Sequence, residues 1–246
     1  MIHFFKQKNP FLRDLIPDNF VDIHSHLLPR IDDGATCIED TECLIKGLEK
    51  VGIKKFVTTP HVMGEVWKNT SLEITKKLST TIHELMIPGI DKHLKAAAEY
   101  MIDEEFRELF KKERLLTLKE NYVLVEMSYI SPSLQLYDIL FELQSAGYQP
   151  ILAHPERYTF YHNNFDEYKK LKKQGCLFQL NLLSTVGYYG SNVSKIADQL
   201  LKNNMIDFVG SDVHHLIHIN SFNMNITIKN KNQLVASIAN NSFFTF

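Results

Sequence analysis

The chain has 246 residues, 44% of them hydrophobic and 23% charged, a composition that supports one sizeable globular core. A formal net charge of -2 excludes a general attraction to nucleic acid or anionic lipid, and no apolar run reaches bilayer-spanning length, so membrane insertion is not expected. Cys37, Cys43 and Cys176 show no CxxC spacing and read as reduced thiols of a cytoplasmic protein, neither a disulfide framework nor a zinc knuckle.

The opening "MIHFFKQKNPFLRDLIPDNF" is interrupted by charges and leads to no small-residue cleavage site, which argues against a signal peptide. Residues 1–19 are expected to form an arm packed outside the domain, with docking to another subunit of a homo-oligomer as the alternative. A first strand, "FVDIHSH", precedes a helical stripe over Ile38–Gly52, stopped by its glycine. "KKFVTTPH" reads as a strand halted by Pro60 and Ser71–Ile87 as a helix. "HLKAAAEYM" is a strand, Asp103–Leu115 a helix, "YVLVEMS" a strand and Pro132–Ala146 a helix. Then follow "QPILAHP", the helix Phe165–Lys173, "CLFQLNLLS", the helix Val193–Asn204, "IDFVGSDVH", and a last helix over Gln233–Ala239 before an apolar tail. Seven strands alternating evenly with helices predict an α/β fold, a parallel barrel in one domain. Lys169, Lys170, Lys172 and Lys173 share one helix and read as a solvated face.

The polar residues fall in register with these strands. His24 and His26 end the first, His61 the second, Glu99 the third, Glu126 the fourth, His154 the fifth, and Asp212 and His214 the seventh. In a parallel barrel the carboxyl ends share one face, where active sites form. Asp33, from the loop after the first strand, adds a carboxylate. Imidazole and carboxylate without cysteine suit zinc, manganese or iron, and nine ligands are too many for one tetrahedral site, so two or three ions are expected. Taken singly, each position is more often a structural residue; the shared register reverses that reading.

These residues carry a resemblance. "DIHSHLLPRIDDGA", "TTPH", "AAEYMI", "LVEMS", "LAHPERY" and "GSDVHH", in this order from about Phe20 onward, resemble the polymerase and histidinol phosphatase (PHP) superfamily. Within it they are most similar to the bacterial metal-dependent protein-tyrosine phosphatases of capsule and exopolysaccharide systems. The resemblance implies a distorted seven-stranded TIM-like barrel over residues 20–246 holding two or three divalent or trivalent ions. Manganese comes first, then iron, magnesium or zinc. It carries the ligand role onto the same nine positions, and phosphate binding onto Arg157 of "HPERY". It further implies hydrolysis of phosphotyrosine by a metal-bridging hydroxide, on the tail of a tyrosine kinase of polysaccharide assembly. The thiol-phosphatase spacing CxxxxxR is absent. Two departures stand out: Arg30 replaces a glycine common in the family, and "SDVHHLIHINSF" lacks the arginine that usually follows the last ligand pair. Arg30, or else His218, is expected to supply the missing phosphate contact. The alternatives are a small-molecule phosphatase such as one acting on histidinol phosphate, and a non-catalytic, metal-stabilised binding module.

Overall fold

Nine short parallel strands and eight α-helices alternate along the chain in the computed structural model, which describes residues 9–246. The strands form two sheets, and kinks explain why there are two. The second expected strand breaks at Pro60 into β2 (Lys55–Thr58) and β3 (His61–Val62), because proline cannot donate to the ladder. The third breaks at Ala97 and Ala98 into β4 (Leu94–Ala96) and β5 (Glu99–Met101). One sheet runs β1 (Val21–Asp22), β2, β4. The other runs β3, β5, β6 (Tyr122–Glu126), β7 (Gln149–Ala153), β8 (Leu177–Asn181), β9 (Phe208–Gly210). Thr58 O accepts from Ala97 N and Pro60 O from Glu99 N, so the paired segments continue one another across the kinks. The seven expected strands are therefore seven staves.

The ring closes between the first and last staves. At the carboxyl end a parallel bridge joins Ser25 to Val213, with His26 N donating to Val213 O and Asp212 N to His24 O. Toward the amino end side chains do the joining. Asn241, fully buried, accepts from Val209 N and donates to both Val21 O and Val209 O. Asp22 accepts from Ser211 N and Oγ, and its burial raises its pKa to about 6. Asn241→Ala would leave three buried backbone groups unpaired, at about 1 kcal/mol or more each. We expect the thermal midpoint to fall by about 6–12 °C at this chain length, read by calorimetry; an unchanged midpoint would mean that the seam needs no such clasp.

Helices α1 (Ile38–Lys50), α2 (Ser71–Glu84), α3 (Glu104–Lys112), α4 (Leu136–Ser145), α5 (Phe165–Lys173), α6 (Ser191–Lys202) and α8 (Lys231–Asn240) match expected helices, with ends displaced by a few residues. The five-residue α7 (Leu216–Asn220) was not expected. The α2 start is fixed by a capping box between Thr70 and Glu73, and that of α3 by Asp103 accepting from Phe106 N. On α5, Lys169 and Lys170 pair with Asp166 and Glu167, and Lys172 with Asp207, the expected solvated face. Residues 9–19 lie against the chain near residue 225: Leu12 is fully buried with its N–H on Met224 O, and Pro10 O accepts from Ile226 N. Residues 1–8 of the expected arm fall outside the described residues. Among those described, no helix is long and apolar enough to cross a membrane.

Inside the barrel the amino end is apolar, with Val21, Ile23, Val57, Ala97, Leu124 and Ile151 in one cluster. The carboxyl end is polar. Strand periodicity turns Glu126 to the face that Leu124 occupies, and puts Gln179 and Asn181 on the face of Leu177. Nearly all the unusual chemistry of the chain is thus delivered to one mouth.

Candidate metal centre

Four groups of donor atoms converge at this mouth, and between them they contain all nine expected residues: His24, His26 and Asp212; His24, Glu99 and His154; His61, Glu99 and Glu126; and His26, Asp33, His61 and His214. Glu99 is the shared centre. Its Oε2 lies 3.1 Å from His24 Nε2, 3.5 Å from His26 Nε2 and 3.1 Å from His61 Nδ1, and its Oε1 lies 3.1 Å from His154 Nε2. Asp212 Oδ1 is 3.4 Å from His24 Nε2 and 3.5 Å from His26 Nε2. Asp33, on the exposed side, reaches His214 Nε2 at 3.3 Å and His61 Nε2 at 3.5 Å. Such spacings suit neighbouring ligands of one ion with bonds of about 2.0–2.2 Å.

The test of fit comes from unpaired atoms. His24 Nε2, His26 Nε2, His61 Nδ1, Glu99 Oε2, Glu126 Oε1 and His154 Nδ1 are buried without a hydrogen-bond partner among the described residues. Each such atom costs about 1–3 kcal/mol, and cations placed among them would offset all but His154 Nδ1, whose ring turns Nε2 to Glu99. Charge agrees. Burial opposes a proton on His61, yet Glu99 and Glu126 raise its pKa to about 10. Burial, and then the charge of Glu99, lifts Glu126 to about 7. A cluster that holds protons this firmly is one that a divalent cation enters by displacing them.

Local backbone aims these side chains. His154 and Asp212 both take positive φ, 36° and 51°, where a side-chain-bearing residue is strained by roughly 1–2 kcal/mol. Each sits just past a strand end, and the left-handed turn swings the chain out of the ladder there. Gly34 is required by contact: a Cβ would stand 2.2 Å from His26 O.

A second layer of residues holds the first, and sequence reasoning missed most of it. His24 Nδ1 meets Gln179 Oε1 at 2.8 Å and His26 Nδ1 meets Asp32 Oδ2 at 2.7 Å, fixing both rings with Nε2 toward the centre. Asp212 Oδ2 accepts from Asn181 Nδ2 at 2.8 Å and from Arg157 Nη1 at 2.6 Å. Beneath them lies Glu156, fully buried, which accepts from Asn181 N and Ser184 Oγ. Gln179 and Asn181 had a visible signal, two amides at alternate positions of the apolar run "LFQLN". Tyr129 and Tyr189 had none, for they reach the site from loops.

Arg157 stands at the rim. Its guanidinium lies between two aromatic faces, 4.2 Å from the Tyr189 ring centre and 4.9 Å from that of Tyr129, with 21% of its side chain exposed. The two residues expected to replace the missing arginine each make a local contact of their own. Arg30 takes φ 58°, the conformation that glycine accepts freely, and its Nε donates to Thr36 O beside the start of α1. His218 Nδ1 accepts from His214 N, and burial together with the nearby His214 lowers its pKa to about 4. Its ring is therefore neutral at working pH and holds the backbone of His214.

Residues 20–230 match the family described as capsular polysaccharide synthesis, CpsB/CapC. The chain belongs to that family. Among CpsB/CapC relatives, the tyrosine-protein phosphatase YwqE of Bacillus subtilis (strain 168) is 29% identical over 197 residues, covering 80% of this chain and 78% of YwqE. The tyrosine-protein phosphatase CpsB of Streptococcus agalactiae is 26% identical over 202 residues, covering 80% of this chain and 83% of CpsB. A solved structure from work on YwqE of Bacillus subtilis and CpsB of Streptococcus pneumoniae, described as metal-dependent tyrosine phosphatases, superposes with a TM-score of 0.74. It has 27% identity and covers 88% of this chain and 85% of that one. The histidinol phosphate phosphatase of Lactococcus lactis shares the fold, with a TM-score of 0.54 at 12% identity over 89% of this chain and 94% of its own. The CpsB/CapC chain described here thus has the PHP-type barrel that its sequence resembles.

Proposed function

We propose that this CpsB/CapC chain is a cytoplasmic, metal-dependent protein-tyrosine phosphatase whose substrate is a tyrosine kinase of polysaccharide assembly. Residues 20–246 form the catalytic barrel, and residues 9–19 pack against it as an arm. His24, His26, Asp33, His61, Glu99, Glu126, His154, Asp212 and His214 hold two or three ions, manganese foremost, and Arg157 holds the phosphoryl group. The observation that carries the proposal is the set of unpaired buried donor atoms lying directly beside a rim arginine.

When bound, the ions supply Lewis acidity toward phosphoryl oxygens and lower the pKa of water from 15.7 to about 7. The protein's own groups do the rest. Arg157 presents a planar fork to two phosphoryl oxygens, and its stacking between Tyr129 and Tyr189 holds that fork in place before substrate arrives. Phenolate, with a conjugate pKa near 10, leaves far more readily than a serine alkoxide, so the chemistry favours phosphotyrosine. No thiol is needed. Burial pushes Cys176 up to about 12 and leaves it inert.

The test is turnover of metal-loaded protein on a phosphotyrosine peptide, a phosphoserine peptide and histidinol phosphate. The proposal expects the first to exceed the other two by at least about tenfold in kcat/KM. Faster turnover of histidinol phosphate would favour the small-molecule reading, and inactivity on all three the binding module.

A further inference from the structure

An open groove adjoins the candidate centre and carries a lysine without a carboxylate. About 590 Å³ in volume, it is lined by His162, Asn163, Tyr189, Ser191, Asn192 and Lys195 among others, and no acidic side chain lines it. Tyr189 is a shared wall: its ring faces the Arg157 guanidinium at 4.2 Å and also lines the groove. Lys195 is exposed and makes no ion pair among the described residues. The neighbouring carboxylate, Asp198, accepts on Oδ1 from Lys229 N, Asn230 N and Asn230 Nδ2 and lies outside this groove. Ser191 and Asn192 belong to the first turn of α6, whose cap is Gly190 and has no side-chain acceptor, so the backbone donors there reinforce the same sign.

We propose that this groove is a subsite for a second anionic side chain of the substrate peptide, lying a few residues from the phosphotyrosine held at Arg157. The inference rests on the phosphatase reading and adds a specificity to it. Extended peptide advances about 3.3 Å per residue, and Tyr189 is the wall common to Arg157 and the groove, so the acidic residue is a near neighbour of the phosphotyrosine in sequence. The chemistry it recognises is a carboxylate or a second phosphate on the same strand. A neutral flank gains nothing there.

The test uses metal-loaded protein and peptides whose phosphotyrosine is replaced by the non-hydrolysable phosphonomethyl-phenylalanine. Three flanks are compared, on either side of it: neutral, glutamate, and a second phosphonate. In wild-type protein we expect the anionic flanks to bind about five- to tenfold tighter than the neutral one, an advantage that shrinks in 0.5 M salt as exposed pairs do. Lys195→Glu should bring that ratio to one or below, and Lys195→Gln should reduce it part-way. A ratio that stays high only for the phosphonate flank assigns phosphate, and equal ratios assign charge alone. A wild-type ratio near one, or a ratio that survives Lys195→Glu, overturns the inference. Turnover of the matching phosphotyrosine peptides is read in parallel: no turnover on any flank contradicts the phosphatase reading, while the binding ratio still decides the groove.

Discussion

Replacing Glu99 by glutamine is expected to lower turnover by more than about 10²-fold and to remove about one ion per chain. The magnitude exceeds the 10–100-fold typical of residues that merely support ligands, because Glu99 stands at the centre of the donor set. Its two oxygens lie within 3.5 Å of ring nitrogens from His24, His26, His61 and His154. Glutamine keeps the shape and loses the charge. Its amide offers a cation one neutral carbonyl oxygen where the carboxylate offers two charged ones, so the substitution weakens ligation without opening a cavity. Metal content by mass spectrometry and kcat on a phosphotyrosine peptide, measured on the same preparation, check this. Wild-type metal content with wild-type kcat would mean that Glu99 is a structural carboxylate.

The second large effect is expected at Arg157. Arg157→Ala should cost about 10²–10³-fold in kcat/KM, the range for removing one preorganised donor from a developing anion. Arg157→Lys keeps the charge but loses the fork and the stacking on Tyr129 and Tyr189, so it should recover only a small part of the loss. Metal content separates two roles. Asp212 Oδ2 has Asn181 as a second partner, so a phosphate-binding arginine can be removed with the ions retained. Parallel loss of metal and activity would instead make Arg157 a positioning residue for Asp212. The missing family arginine sharpens the expectation, since Arg30 is turned to Thr36 and His218 to His214.

The barrel was legible because six of the seven staves carry, at or near the carboxyl end, a histidine or acid that the apolar run does not explain. "YVLVE" delivers Glu126 and "QPILAH" delivers His154 without reference to any other part of the chain. What could not be read is what depends on partners remote in sequence. Gln179 meets His24 across 155 positions and Asn241 clasps Val21 across 220. No local pattern announces either contact. The split staves had a partial signal, Pro60, whereas the break at Ala97 had none. The short α7 was hidden in "HHLIHINS", which has too few residues for a helical stripe to show. The local setting of Arg30 was not legible either: it takes φ 58° and its Nε donates to Thr36 O, a contact that no sequence pattern announces.

The central claim is that hydrolysis of phosphotyrosine depends on ions held by the nine converging side chains. It is tested most directly by stripping the purified protein with a chelator, removing the chelator, and following phosphate release from a phosphotyrosine peptide while manganese is added back. The account predicts negligible release from stripped protein and recovery that saturates at two to three ions per chain, without any effect of thiol alkylation. Full turnover by protein shown to be free of metal would contradict it.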